Sequence, residues 1–469
     1  MSAMPDPPTP APSPAVPGTF TARLKNALVG DPEARFVHLN NFEVERFWAE
    51  GEPGLPGAGM SFAPATVNRI EEVGLCLAAQ GDFVVLKEMP DPGYAAYLSN
   101  LGLLAATVLT VDGNNPSRTV TQDALDSPRL LETLRALNDG RTYLAPMGVS
   151  VLEERLAAAS GLPLAGAGSA VARQVNGKIY SRDLVDALGL TPVPGTVCRT
   201  VRELARALEE AFADPSARLV VKESLGVSGR GMVVLDGSQR GERLIRMISR
   251  RSSTDDRLPV VVEHWLEKRA DLNYQFLVGR DGGTAFETVK LALTQNGVHR
   301  GHVFPAGLGP QDTAVLENAA ERIGEALHAS GFHGLVGVDA LLGADGVLYP
   351  CLEINARFNM ATFQNRIAEE LIPPGAHVLA TQLELRPTRT VGFEEVRSAL
   401  DGLLLDSKEH VRGGARGVLI NNFATLNAAL LADDQQYGRL YALVVGDDEA
   451  DTLRRLARLE DVMQGLVTP

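Results

Sequence analysis

Residues 334–357 constrain the fold of this chain more than any other stretch. Two apolar runs flank Asp345 and Gly346, a dipeptide that is typical of tight turns between antiparallel strands. The pattern predicts a β-hairpin. Polar residues interrupt its apolar runs, and the simplest interpretation of them is a hairpin with one solvated face.

Four polar side chains on this hairpin suggest a second interpretation. Side chains alternate between the faces of a strand, so Glu353, Asn355 and Arg357 share one face of the second strand. Asp339 lies midway along the first strand. Such groups are costly to bury without partners. Carboxylate and amide oxygens suit Mg²⁺, which takes few protein ligands and shares its other positions with water and phosphates.

A metal site here depends on the register between the two strands. A two-residue turn would pair Asp339 with Leu352 and point the carboxylate to the wrong face. A loop with an odd number of residues, or a β-bulge, would bring Asp339 opposite Glu353. Pro350 has no N–H for the ladder, so we expect the register to change near it.

The charge and cysteine content of the chain limit its partners and compartment. The 469 residues carry a net charge of −14, which argues against nucleic acid or an anionic membrane surface as the main partner. No apolar run approaches the roughly 20 residues of a membrane span, and the N-terminus has no signal-peptide pattern. Cys76, Cys198 and Cys351 are scattered without zinc or disulfide spacing, so we expect a cytoplasmic protein.

The pattern of elements divides the chain into four parts. Residues 1–19 are rich in proline and are predicted to be disordered. Residues 20–160 alternate strands with helices, which predicts an α/β domain with a parallel sheet. Residues 161–385 form the next module, and 386–469 a small α/β unit. In the first domain the predicted strands are 35–40, 82–87 and 106–111, and the predicted helices include 65–79 and 92–101.

Two lysines and a glycine-rich loop precede the hairpin. Lys222 ends a strand that leads into the loop 224–231, whose residues include Ser228, Gly229, Arg230 and Gly231. Backbone N–H groups of such a loop can bind phosphate oxygens, and glycine permits a close approach. An ordinary glycine-rich turn is the alternative. Lys178 stands near a predicted helix start, which disfavours a cation unless an anion is bound, although a solvated lysine is an equal alternative.

A buried strand ends at Glu263, Trp265 and Leu266. Backbone groups at such a strand end can bind the edge of an adenine ring, and the Trp and Leu side chains can supply apolar walls.

The order of these motifs resembles that of the ATP-grasp superfamily. The resemblance covers roughly residues 170–370 and is most specific at Glu353-Ile-Asn-Ala-Arg357 with Asp339 upstream. The preceding region resembles the pre-ATP-grasp domain. The Asn68-Arg-Ile-Glu-Glu-Val-Gly-Leu stretch and the overall layout are most similar to pheganomycin-type peptide ligases. The expected fold class is therefore α/β (α+β): an ATP-grasp fold preceded by a pre-ATP-grasp α/β domain, with a small C-terminal α/β unit.

The resemblance implies a role for each candidate residue. The ATP phosphates would be bound by Lys178, Lys222, Ser228, Gly229, Arg230 and Gly231. Adenine and ribose would be bound by Glu263, Trp265, Leu266 and Asp271. Mg²⁺ would be held by Asp339, Glu353 and Asn355, and Arg357 would face the reacting carboxylate or phosphoryl group. Arg300 and His302 are candidates to stabilise a tetrahedral oxyanion, with a surface position as an equal alternative for each.

The implied activity is that of an ATP-dependent carboxylate–amine ligase. It would act on an amino acid or short peptide and an amine acceptor through an acyl phosphate, and would release ADP and phosphate. ATP and Mg²⁺ are the expected cofactors, and a homodimer is compatible with this activity. Three alternatives remain: a ligase that loads a carrier-protein thiol, a kinase, and a non-catalytic nucleotide-binding protein. The acidic chain does not favour the first, because carrier proteins are commonly acidic themselves.

Overall fold

The computed structural model describes residues 18–56, 64–226, 231–251, 256–295, 298–431 and 437–467. Residues 1–17 of the predicted leader lie outside them, as do Ser228, Gly229 and Arg230 of the predicted phosphate loop. The three cysteines are described, and each is buried and free. Among the described helices, none is long and apolar enough to cross a membrane.

The N-terminal region is built on a parallel sheet, as predicted. Within the described residues this sheet has four strands in the order β3-β2-β1-β4, and all neighbours are parallel. Its elements are α1 (Phe20–Val29), β1 (Arg35–Leu39), α2 (Glu45–Trp48), α3 (Pro64–Val67), a 3-10 helix (Ile70–Cys76), β2 (Phe83–Leu86), α4 (Pro92–Asn100), β3 (Thr107–Thr110), α5 (Val120–Leu125), α6 (Pro128–Ala136), β4 (Thr142–Pro146) and α7 (Val151–Ser160).

The predicted helix at 65–79 is wrong. The structure has the short α3 and the 3-10 helix in its place. The Glu71 carboxylate accepts the backbone N–H of Lys87, and the Glu72 carboxylate accepts that of Phe423 at 2.8 Å. The segment thus satisfies these buried carboxylates through contacts outside itself, and such tertiary contacts commonly outweigh local helix propensity.

The second group of elements forms a smaller antiparallel sheet covered by two amphipathic helices. In the described part of the chain its order is β5-β8-β6-β7. Leu204 and Leu208 of one helix and Leu244 of the other pack against Val221 and Val260 of the sheet. The elements are α8 (Ser169–Val175), α9 (Lys178–Ala187), β5 (Gly195–Thr200), α10 (Val201–Ala211), β6 (Leu219–Glu223), β7 (Met232–Leu235), α11 (Ser238–Arg251) and β8 (Arg257–His264).

The remaining strands form one antiparallel sheet, which we call the large sheet. Its described strands number eight, in the order β13-β12-β9-β10-β11-β14-β16-β15. Its elements and the helices between them are β9 (Lys268–Val278), β10 (Thr284–Gln295), β11 (Val298–Phe304), α12 (Pro310–Ala329), β12 (Gly334–Gly343), β13 (Leu348–Asn355), α13 (Thr362–Glu370), β14 (His377–Leu385), α14 (Phe393–Ala399), α15 (Lys408–Arg412), β15 (Gly417–Asn422), α16 (Ala424–Ala428), a second 3-10 helix (Ala429–Leu431), β16 (Gly438–Gly446) and α17 (Glu449–Val467).

The large sheet runs through the boundary predicted at residue 385. β14 pairs with β11 on one side and with β16 on the other. Strands of the expected C-terminal unit therefore extend the sheet that carries the central hairpin. The three predicted domain boundaries remain predictions.

The register of the hairpin β12–β13 is the one that the metal site requires. The N–H of Gly343 donates to the carbonyl of Val347 at 2.8 Å, which closes a three-residue loop. The register then shifts around Pro350, where a bulge was expected, and Asp339 pairs with Glu353. The predicted pairing is thus confirmed, and it needs both the odd-numbered loop and the bulge.

Candidate active site

A cavity of about 680 Å³ lies against the large sheet. Its lining includes residues from all eight described strands of the large sheet, from β13 at one end to β15 at the other. Phe42, Thr66 and Ile70 of the N-terminal region also line it. The cavity therefore joins parts of the chain that are distant in sequence.

Two carboxylates face each other at one end of the cavity. Asp339 and Glu353 are cross-strand partners. One oxygen of Asp339 accepts the amide of Asn273 at 2.8 Å, and the other accepts the amide of Asn355 at 3.1 Å. Burial and the nearby Glu353 raise the pKa of Asp339 to about 6. A cation placed between the two carboxylates would offset their mutual repulsion.

The donor set at this end fits Mg²⁺. Asn273 Oδ1 is buried without a hydrogen-bond partner, because the Asn273 amide nitrogen is the group that contacts Asp339. In the described residues no three His, Cys, Asp or Glu side chains form a metal-binding cluster. A cation would thus draw on Asp339, Glu353 and amide oxygens, which is the sparse oxygen set that Mg²⁺ uses. The sequence analysis missed Asn273, because only the pairing of β9 with β12 brings it opposite Asp339.

Both predicted phosphate-binding lysines line the cavity and are paired with carboxylates. Lys178 Nζ donates to Glu353 Oε1 at 2.7 Å and to the carbonyl of Gly226 at 3.0 Å. Lys222 Nζ donates to Glu263 Oε2 at 2.5 Å. Burial alone would lower the pKa of Lys222, but Glu263 together with Glu353 and Asp339 outweighs burial and raises it. Lys222 is therefore a permanent cation in the cavity.

Gly231 is the one residue of the predicted phosphate-binding set in the loop 224–231 that the structure describes. Its φ of +74° lies in the left-handed region, and a side chain there would collide with the Glu223 carboxylate. Glycine is required at this position for backbone geometry.

The predicted adenine-binding residues lie at the cavity end formed by β8. Glu263, Trp265 and Leu266 all line it, and so does Asp271 at the start of β9. The guanidinium of Arg218 lies 5.2 Å from the centre of the Trp265 ring, a cation–π contact that fixes the ring. Asp271 is paired with a neighbouring lysine and accepts from Thr294.

Arg357 is held by a residue that the sequence analysis missed. Its Nη2 lies 2.5 Å from Glu45 Oε1, and Glu45 is 6% exposed. Arg357 Nε and Glu45 Oε2 are buried without hydrogen-bond partners. Glu45 starts α2 after the carboxyl end of β1, a position where open α/β sheets commonly place ligand-binding groups. This position after a parallel strand was the sequence signal that could have identified Glu45 as a candidate site residue.

His302 and Arg300 both line the cavity, but His302 is buried and neutral whereas Arg300 forms an ion pair. His302 is buried; its Nδ1 accepts from Gln364 at 3.2 Å, and its Nε2 lies 3.1 Å from His299 Nε2. Burial and the second imidazole keep the pKa of His302 well below 6.5, so it offers a neutral hydrogen bond. Arg300 pairs with Glu384 at 3.0 Å on the neighbouring strand.

Comparison with protein families supports the resemblance seen in the sequence. Residues 73–162 match the family model of the Pre ATP-grasp domain. A segment of 199 residues, 41% of this chain, is 30% identical to the butirosin acyl-carrier protein–L-glutamate ligase of Niallia circulans and covers 46% of that protein. A segment of 204 residues is 26% identical to the carbamoyl phosphate synthase large chain of Xanthomonas axonopodis pv. citri (strain 306), of which it covers 18%. The matched segment thus spans less than half of each of these relatives.

Solved structures share the fold over most of their length. The N5-carboxyaminoimidazole synthase from Aspergillus clavatus, in complex with ADP and 5-aminoimidazole ribonucleotide, matches 92% of this chain and 98% of its own, at 13% identity and a TM-score of 0.52. The biotin carboxylase–β-γ-ATP complex from Campylobacter jejuni matches 87% and 94%, at 12% identity and a TM-score of 0.53. The expected fold, an ATP-grasp fold preceded by a pre-ATP-grasp domain, is confirmed.

Proposed function

We propose that this protein is an ATP-dependent ligase that joins a carboxylic acid to an amine. ATP would phosphorylate the acid to an acyl phosphate and leave as ADP. The amine would then displace phosphate to give an amide. The substrates on this proposal are an amino acid or short peptide as the acid and an amine as the acceptor.

One observation carries the proposal: two facing carboxylates, two paired lysines and a held arginine line the same cavity. Phosphoryl transfer needs little covalent help from a protein and depends on positioning and charge stabilisation. Asp339 and Glu353 would hold Mg²⁺ with the help of Asn355. Mg²⁺ bound there would neutralise negative charge on the transferring phosphoryl group.

The residues of the chain would divide the remaining work. Lys178 would exchange Glu353 for a phosphate oxygen when nucleotide binds, while Lys222, already a cation, would contribute charge without a proton change. The strand end at Glu263–Leu266 would hold adenine, with Asp271 near the ribose. Arg357 would orient the carboxylate of the acid through its unpaired Nε.

A second candidate acceptor is the thiol of a carrier protein. The relative that supports it is 30% identical over 199 residues, and its name describes a ligase that joins L-glutamate to an acyl-carrier protein. The activation step is the same in both candidates, so one assay addresses activation and another addresses the acceptor.

Nucleotide products with Mg²⁺, ATP and pooled amino acids, in the presence of hydroxylamine, would test the activation step. We expect ADP and phosphate together with an acyl hydroxamate, because hydroxylamine traps acyl phosphates. AMP and pyrophosphate would contradict the acyl-phosphate route. A stable phosphorylated product that forms without an acceptor would indicate a kinase.

Two variants connect this assay to the metal site. Glu353→Ala should lower the ADP-forming rate by about a hundred- to a thousandfold, the scale seen when a charge-stabilising group is removed. Glu369→Ala is the control, because Glu369 also pairs with a cation but does not line the cavity. Near-normal turnover in folded Glu353→Ala protein would refute the metal assignment.

A further inference from the structure

We propose that the end of the cavity farthest from the paired carboxylates binds an anionic group at the far end of the acceptor. We call this end the distal wall; it consists of Arg300, Gln382, Glu384, Asn421, Arg439 and Tyr441. The inference rests on the proposed function and adds the class of acceptor to it. A substrate of this class is longer than a free amino acid and carries a carboxylate or phosphate away from its nucleophile.

The strand order sets the length of the acceptor. Asp339 is on β12, and the distal wall begins on β11 and ends on β15, three to six strands away. Strands in a sheet are about 4.8 Å apart, so the separation along the sheet is about 14 to 29 Å. An extended peptide covers about 3.5 Å per residue, so a free amino acid cannot reach both ends.

The charges of the distal wall favour an anion. Glu384 lies between two guanidinium groups: Arg300 Nη1 is 3.0 Å from its Oε1, and Arg439 Nη2 is 4.0 Å from the same oxygen. Both guanidinium groups therefore approach the same Glu384 oxygen, and both residues line the cavity beside it. A carboxylate or phosphate bound next to Glu384 would accept charge-assisted hydrogen bonds from these two groups.

The arrangement follows from the pairing of strands on both sides of β14. Glu384 is directly opposite Arg439, and Gln382 is opposite Tyr441, whose hydroxyl hydrogen-bonds Arg439. Cross-strand partners on one face are close enough for their side chains to meet. The side chains of the wall therefore contact one another across paired strands, and strands hold side chains more rigidly than loops do.

Polar atoms of the distal wall lack the partners that burial demands. Asn421 is 3% exposed, and its Oδ1 has no hydrogen-bond partner. Arg300 Nε is a buried donor without a partner. The register of β15 shifts between Ile420 and Asn422, so Asn421 is the bulged residue. Bulges re-aim side chains, and this one places Asn421 on the cavity lining. An unpaired donor and an unpaired acceptor suit a ligand that has both an anion and N–H groups.

Two kinds of acceptor share this chemistry. A peptide would present its terminal carboxylate to the distal wall and its amine to the acyl phosphate. The prosthetic arm of a carrier protein would present its phosphodiester to the wall and its thiol to the acyl phosphate. Both have amide N–H groups between the two ends. The anion is the common feature, and matched probe pairs can distinguish the sources.

Calorimetric titration of the full-length protein with four probes would test the inference. The pairs are triglycine with triglycinamide, and pantetheine 4′-phosphate with pantetheine. We expect the member of one pair that carries the terminal anion to bind at least about tenfold more tightly than the member that lacks it, the scale of a charge-assisted hydrogen bond. Triglycine would identify a peptide acceptor, and the phosphate would identify a carrier arm. Equal or undetectable binding within both pairs would overturn the inference.

Variants then locate the binding. Arg439→Gln should abolish the preference for the anionic probe, and Asn421→Ala, which removes no charge, should weaken binding of both members of the preferred pair. Arg389→Gln is the control, because Arg389 pairs with Glu395 on the surface and does not line the cavity. A preference that survives in Arg439→Gln would overturn the inference. If Arg439→Gln does not fold, an unchanged affinity in Asn421→Ala would do so.

Failure of the inference can be separated from failure of the proposed function. Binding of the probes is measured without ATP, whereas the hydroxamate assay uses a small uncharged acceptor that has no need of the distal wall. Hydroxamate formation without a preference for the anionic probe would support the ligase activity and refute anion binding at the distal wall. A preference for the anionic probe without hydroxamate formation would support anion binding and refute the ligase activity.

Discussion

Replacing Lys178 with glutamine should change metal affinity and nucleotide affinity in opposite directions. Lys178 is 6% exposed, and its ammonium lies 2.7 Å from Glu353 Oε1. Without nucleotide, this ammonium occupies a carboxylate that we assign to Mg²⁺. The lysine and the metal therefore compete for Glu353 until a phosphate draws the lysine away.

The size of the effect follows from this contact. A hydrogen bond that involves a charged group is worth about 1.5 to 3 kcal/mol. At about 1.4 kcal/mol per factor of ten, the neutral variant should bind a divalent cation about 10 to 100 times more tightly in the absence of nucleotide. The variant also lacks the ammonium that would contact the nucleotide phosphates. Its affinity for the Mg²⁺ complex of a non-hydrolysable ATP analogue should therefore fall by about the same factor.

Two titrations would measure these affinities. Mn²⁺, followed by electron paramagnetic resonance, reports metal binding without nucleotide, and calorimetry reports binding of the nucleotide analogue. Lys408→Gln is the control, since Lys408 pairs weakly with Glu370 and does not line the cavity. A parallel loss of both affinities, or an unchanged Mn²⁺ affinity, would refute the competition for Glu353.

Two further predictions concern buried carboxylates. Glu45→Gln should lower the free energy of unfolding by about 2 to 4 kcal/mol, because it leaves the Arg357 guanidinium without its charged partner; urea unfolding that matches the unmodified protein would contradict this. Burial raises the pKa of Glu72 from its ordinary 4.5 to about 7. The native state therefore binds this proton more tightly than the unfolded state, and stability should fall by about 3 kcal/mol as the pH rises through that window. Glu72→Gln should lack this decline, and parallel pH profiles of the two proteins would count against the assignment.

Much of the candidate site could be read from local patterns. Asp345 and Gly346 predicted the hairpin, and Pro350 marked the place where its register changes. Strand alternation placed Glu353 and Asn355 on one face. Each of these inferences uses the two-residue period of a strand or the missing N–H of proline, and such constraints act within a few residues.

Other parts of the site were decided by contacts between distant segments. Glu45 reaches Arg357 from another region of the fold, and no local pattern indicates that pairing. The helix predicted at 65–79 failed for the same reason, since Glu72 binds backbone N–H groups next to β15. Local propensity differences are smaller than the cost of leaving such buried groups unpaired.

The sequence by itself determined the hairpin, the order of its charged residues and the parallel sheet of the N-terminal region. The tertiary structure decided that β14, β15 and β16 extend the large sheet, and so placed Glu384, Arg439 and Asn421 in the cavity that holds Asp339. The physical reason is the range of the forces. Periodicity and turn chemistry are encoded locally, whereas the choice of neighbouring strands depends on burial and hydrogen bonding across the whole chain.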